Sequence, residues 1–149
     1  MRVVGLDLGK RRVGVAVSDS GGVMAVPSTT VERTGDEARD RARLAEAVRA
    51  LEPERVVVGL PRSLDGSEGP AAAWARTEAT ALAELLDVPV ELYDERLTTV
   101  SAQRSLVAAG VKGRDRRKVV DQVAAAVLLQ AWLDGGRGLD GGRGTGTGG

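Results

Sequence analysis

Cysteine and histidine are both absent from the 149 residues. Without cysteine there are no disulfides, thiolate nucleophiles or cysteine-ligated zinc. Without histidine the commonest general base, the Ser-His-Asp triad and imidazole-ligated metals are excluded. Catalysis in this alphabet rests on carboxylates, with or without hard cations bound through oxygen, or on Lys, Tyr, Ser or Thr. Charge of one sign is also lacking, since 21 Lys plus Arg balance 21 Asp plus Glu. A neutral chain is no histone-like polycation, so any nucleic-acid contact must come from a local basic patch. No apolar run approaches the ~20 residues of a membrane span. The opening Met1-Arg-Val-Val-Gly-Leu-Asp7 meets an acid before a leader-type apolar stretch develops, so a cytoplasmic protein with no membrane contact is expected.

Glycine is concentrated at one end: nine of the twenty lie in Asp134 to Gly149, where Asp-Gly-Gly-Arg-Gly occurs twice. Such a segment has too little apolar mass to offset the entropy of ordering, so residues 134–149 are expected to be a disordered tail, inert or touching RNA through its two arginines. Residues 1–133 are the right length for one domain with a hydrophobic core.

Two short β-branched runs, Arg2 to Leu8 and Val13 to Ser18, flank Gly9-Lys-Arg-Arg12 and read as two strands joined by a tight turn, with Gly9 free to take positive φ. A third strand spans Val23 to Val31, where Pro27 restricts it to an edge or a bulge. From Asp36 to Leu51, Ala38, Ala42, Ala45 and Val48 recur at helical spacing. The near-continuous apolar run Arg55 to Leu60 is a strand buried on both faces. Next come a helix from Ala71 to Leu86, a strand from Pro89 to Tyr93, a helix capped by Thr98 or Thr99 and stopped at Gly110, and a last helix from Lys118 to Leu133. Right-handed crossovers turn this order into an α/β fold. Its mixed five-stranded sheet has the first three strands antiparallel and the last two parallel to the first, with helices on its faces.

Acids at three places stand out within that frame. Asp7 lies near the end of a central apolar strand, where a carboxylate needs a cation, hydrogen bonds or a raised pKa unless it merely caps the turn. Asp94 and Glu95 follow the last strand, at the sheet edge where parallel α/β proteins bind ligands, although paired acids are commonly just solvated. Asp121 sits in the expected first turn of the last helix. A helix dipole explains an acid there, but not its sharing a stripe with Ala125, Leu128 and Trp132. If the three converge, either one stays protonated or divalent cations lie between them. Oxygen ligands alone favour Mg²⁺ or Mn²⁺, one or two ions, which suits phosphodiester hydrolysis. Bases cluster beside these acids: Lys10, Arg11 and Arg12, then Arg96, then Lys112, Arg114, Arg116, Arg117 and Lys118. A polyanion-cleaving site needs such neighbours, and so does any charge-rich set of turns.

Asp7-Leu-Gly-Lys-Arg-Arg-Val-Gly-Val-Ala-Val-Ser-Asp19, Val58-Gly-Leu-Pro61, Asp65-Gly-Ser-Glu-Gly-Pro70, Asp94-Glu-Arg-Leu-Thr-Thr99 and Asp121-Gln-Val-Ala-Ala125 together resemble the YqgF family, also called RuvX-like. The resemblance implies a ribonuclease H-like fold over residues 1–133, with Asp7, Glu95 and Asp121 as the metal-holding catalytic acids. It favours Glu95 over Asp94 and gives the Asp65 to Pro70 loop a positioning role. The implied activity is metal-dependent nuclease action, either in 5′-end maturation of small-subunit ribosomal RNA precursor or on four-way DNA junctions. Structured RNA is thus the expected partner and branched DNA the alternative. A monomer and a homodimer both remain open, junction cleavage requiring the dimer. A non-catalytic nucleic-acid-binding factor is the rival from another class. Asp7-Leu-Gly9 also resembles the phosphate loop of actin-like ATPases, but a second duplicated domain would not fit this length.

Overall fold

The computed structural model of the chain describes residues 2–110, 113 and 116–136. Its strands are β1 (Val3–Leu8), β2 (Arg12–Ser18), β3 (Ala25–Glu32), β4 (Arg55–Leu60) and β5 (Val90–Asp94). Its helices are α1 (Glu37–Arg49), α2 (Pro70–Leu86), α3 (Val100–Gly110) and α4 (Arg116–Ala131). They form one sheet in the order β3-β2-β1-β4-β5, so the strand bearing Asp7 is central. The β1–β2 and β2–β3 pairs are antiparallel, whereas β4 runs parallel to β1 and β5 parallel to β4. This is the expected mixed topology. Parallel pairing carries the carboxyl ends of β1, β4 and β5 to the same edge, which positions the site.

Pro27 lies in β3, an edge strand, and the register slips there: Val15 pairs Thr29 while Ala16 pairs Pro27, leaving Ser28 as the extra residue. The proline therefore sits both at an edge and beside a bulge, where its missing N–H costs no ladder bond. Gly9 corrects the sequence reading, because it is not among the positive-φ glycines. Its role is steric. Its N–H donates to the Arg12 carbonyl at 2.9 Å, and a Cβ there would stand 2.5 Å from that oxygen.

Side-chain alternation gives the sheet two cores. On one face Val4, Leu6, Val13, Val15, Val56 and Val58 pack beneath α1 and α2. The α1 stripe differs from expectation: Ala38 and Ala42 are exposed, and Leu44 joins Ala45 and Val48 in the core. On the opposite face α4 lies directly on the sheet, with Ala125, Leu129 and Trp132 against Val3, Ala16 and Val57. Small residues allow that approach. A Cβ on Gly5 would come within 2.8 Å of Leu129 Cβ, and one on Gly14 within 2.0 Å of the Asp121 carbonyl oxygen. A π-helical turn, Trp132–Gly136, ends the described chain and takes in the first residues of the expected tail; residues 137–149 lie outside the described residues. Among the described residues no helix is long and apolar enough to cross a membrane.

Candidate active site

Asp7 is 5 % exposed and projects from the central strand on the α4 face. Its cross-strand partner is Gly14, so no β-carbon shields it on that side. Burial pushes its carboxyl up from the ordinary range, the Asp121 charge adds to this, and Arg104 opposes it. The Arg104 Nη2 donates directly to Asp7 Oδ2.

Glu95 opens the single 3₁₀ turn, Glu95–Leu97, that follows β5. Its carboxyl is raised by burial first and by the Asp7 charge second. The two side chains interact directly, which draws the Asp7 carboxyl down and pushes that of Glu95 up. Gly59, beneath it on β4, is the cradle: a Cβ there would stand 2.9 Å from Glu95 Oε1.

Asp121 reaches this edge from α4, and here the helix start needs correcting. The helix begins at Arg116, so Asp121 lies in the second turn rather than the first. The dipole account of its presence therefore fails, since that effect fades within the first turn. Ala125, Leu128 and Trp132 are all buried, as the shared stripe requires. The Asp121 carboxylate is turned onto Arg12, with Nε to Oδ2 at 2.8 Å. Asp7 and Glu95 are thus in contact, while Asp121 acts on Asp7 through its charge.

Asp94, the neighbour of Glu95, has a different role. It accepts from the Arg96 backbone N–H and guanidinium and from Arg62, and these hold its carboxyl at about 2. Arg96 also donates to the Leu64 carbonyl. This network fastens the 61–69 loop onto the turn that presents Glu95. Lys10, Arg11, Arg116 and Arg117 are exposed around the β1–β2 turn and the start of α4. Lys118 is ion-paired to Glu32 at 3.5 Å. Lys112 and Arg114 lie outside the described residues.

Arg104 is the residue the sequence reading missed. Val100 is buried against Ala124 and Leu128 of α4, and Arg104 follows it by one helical turn on the same face. That spacing was the available signal. Its pairing with Asp7 spans 97 positions in sequence and leaves no local trace.

Among the described residues no three carboxylates stand close enough together to enclose a metal ion as they are. The donor set nonetheless fits a hard divalent cation. All its atoms are carboxylate oxygens, two of the acids are desolvated, and two guanidinium groups already stand in as cations on Asp7 and Asp121.

A mixed five-stranded sheet in this order, with β1 central and helices on both faces, is the ribonuclease H-like fold. A family model described as "RuvX: Holliday junction resolvase" matches residues 1–135. The chain belongs to this family of nucleases. It is 53 % identical over 137 residues to a Myxococcus xanthus protein named "Putative pre-16S rRNA nuclease", covering 92 % of this chain and 90 % of that one. A protein of the same name from Mycobacterium sp. (strain KMS) is 54 % identical over 134 residues, covering 89 % and 79 %. The RuvC structure from Thermus thermophilus shares the fold, with a TM-score of 0.56 at 21 % identity over 91 % of this chain and 97 % of that one.

Proposed function

We propose that this protein is a divalent-cation-dependent nuclease that trims structured RNA at the 5′ end of the small-subunit ribosomal RNA precursor, working in the cytoplasm. The observation that carries the reading is the contact between Asp7, buried in the central strand, and Glu95 at the end of β5. Two desolvated carboxyls set against each other gain little for the fold and suit a site that binds a cation. The names of relatives at about half identity support the choice of substrate.

Asp7, Glu95 and Asp121 would hold the ion, Mg²⁺ or Mn²⁺. Once bound, it supplies Lewis-acid stabilisation of charge on the phosphoryl oxygens and activates water. The chain supplies the rest. Asp7 and Glu95 would both bind the ion as ionised carboxylates. The exposed bases Lys10, Arg11, Arg116 and Arg117 meet the substrate backbone, with Lys112, Arg114 and Lys118 from the adjoining segment. Arg96 braces the neighbouring loop through Asp94 and Leu64.

A second reading, cleavage of four-way DNA junctions, takes its support from the family description. It requires two sites related by a two-fold axis, hence a homodimer. One experiment tests both: end-labelled ribosomal RNA precursor, generic single-stranded RNA and a DNA junction incubated with Mg²⁺, Mn²⁺ or EDTA, beside Asp7→Asn. Metal-dependent cutting of the RNA precursor that the variant loses is expected. Binding without cutting in every arm overturns the nuclease reading. Paired junction incisions by a dimer would move the DNA reading to first place.

A further inference from the structure

We infer that Arg104 is the internal counter-ion of the catalytic acid Asp7, which it vacates when a divalent cation binds and leaves for a phosphate of the substrate. This rests on the reading of Asp7, Glu95 and Asp121 as a cation site.

Formal charge sets the terms. Three acids here face two guanidinium groups, Arg104 on Asp7 and Arg12 on Asp121. A divalent ion added to that set would leave the site positive, in surroundings that have excluded most water from Asp7. Expelling one arginine restores neutrality. The Arg104 bond also uses Asp7 Oδ2, an oxygen that a cation would need.

Arg104 is the arginine built to leave. Its side chain is 41 % exposed, against 23 % for Arg12, which is fixed at the start of β2. Its Nε is buried with no hydrogen-bond partner, so the present arrangement leaves one donor of the fork unused. A planar guanidinium offers paired N–H groups that match two phosphate oxygens, and a second acceptor would satisfy that idle donor. Its charge also acts on Glu95, so it serves both acids. Its helix is anchored at Val100, one turn away, so a change of side-chain rotamer moves the charge without moving the backbone.

The test measures Mn²⁺ binding to the full-length protein by calorimetry, with Arg104→Gln, Arg104→Lys and Asp7→Asn beside the wild type and no nucleic acid present. Arg104→Gln is expected to bind Mn²⁺ about tenfold more tightly. Arg104→Lys keeps the charge without the fork and should fall between, and it serves alone if the glutamine variant does not fold. Asp7→Asn should lose the site. Binding by the Arg104 variants within twofold of wild type, with Asp7→Asn inactive in binding, overturns the counter-ion role and leaves the metal site standing. No Mn²⁺ binding by wild type or the Arg104 variants overturns both. In cleavage assays at saturating Mn²⁺, Arg104→Gln should raise KM for RNA about tenfold, and an unchanged KM removes the phosphate role.

Discussion

Gly14 lies against the backbone of Asp121, so closely that a Cβ at position 14 would stand 2.0 Å from the Asp121 carbonyl oxygen and 2.4 Å from its carbonyl carbon. Both obstacles are main-chain atoms of a buried helix, and neither can swing aside. Gly14→Ala should therefore lift α4 off the sheet at this point and cost about 3 kcal/mol, the upper end for overpacking. Urea unfolding monitored by circular dichroism measures it. A midpoint unchanged from wild type would show that helix and strand are not in this contact.

Gly59 presents the opposite case. A Cβ there would meet Glu95 Oε1 at 2.9 Å and Leu128 Cδ2 at 3.2 Å, both side-chain ends that can yield. Gly59→Ala should cost only about 1 kcal/mol in stability. Cleavage should nevertheless fall about a hundredfold, because a displaced carboxylate misaligns the site. Full activity in a folded variant would remove Glu95 from the chemistry.

Asp7 and Glu95 give the protein a pH signature. Both carboxyls are raised, chiefly by burial, above the values they hold in the unfolded chain. Their contribution to stability is complete below the unfolded values near 4 and is lost as pH rises through the folded ones. Metal-free wild type should thus gain Tm, relative to Asp7→Asn, as pH falls from neutrality toward the unfolded values near 4. Mn²⁺ at pH 7 should raise the Tm of wild type and not of the variant. Identical pH slopes for the two proteins would contradict the assignment.

Glu78 is 1 % exposed in α2, where Arg41 approaches it at 2.6 Å and Arg33 at 3.5 Å. Arg33 also lies over the Trp74 ring, 5.0 Å from its centre. Glu78→Gln leaves two guanidinium groups without their counter-charge and should cost about 3 kcal/mol. Because this cluster lies on the face away from α4, cleavage by the folded fraction should be unchanged. A parallel loss of specific activity would couple the two faces of the sheet.

The alternation of Val3 to Leu8 and Val13 to Ser18, the near-continuous apolar run at Arg55 to Leu60 and the spacing along Asp121, Ala125, Leu128 and Trp132 were each readable, because the forces behind them act over a few residues. They yield the mixed sheet, with its first three strands antiparallel and its last two parallel to the first, and the shared edge of Asp7 and Glu95. What escaped the sequence depends on contacts between distant segments. Gly9 proved to be a steric requirement set by Arg12, and Arg104 meets an acid on another strand. The early start of α4 at Arg116 was hidden by a run of charges with no apolar period. The shift of the α1 stripe toward Leu44 had a similar origin, because an alanine series fits a helix face equally well buried or exposed.

The slipped register at Pro27 and Ser28 has a bearing on solubility in the cell. A sheet whose outermost strand is straight and fully armed with N–H groups invites strands from other chains to add on, the first step toward aggregates. Here Val26 near the start of β3, with Val23 and Met24 just before the strand, is exposed, a composition that would favour such addition. The proline withholds a donor in the middle of that strand and the extra residue twists it, so an incoming chain cannot form a continuous ladder. The irregularity that weakens β3 as a strand thereby makes it a poor template for such addition.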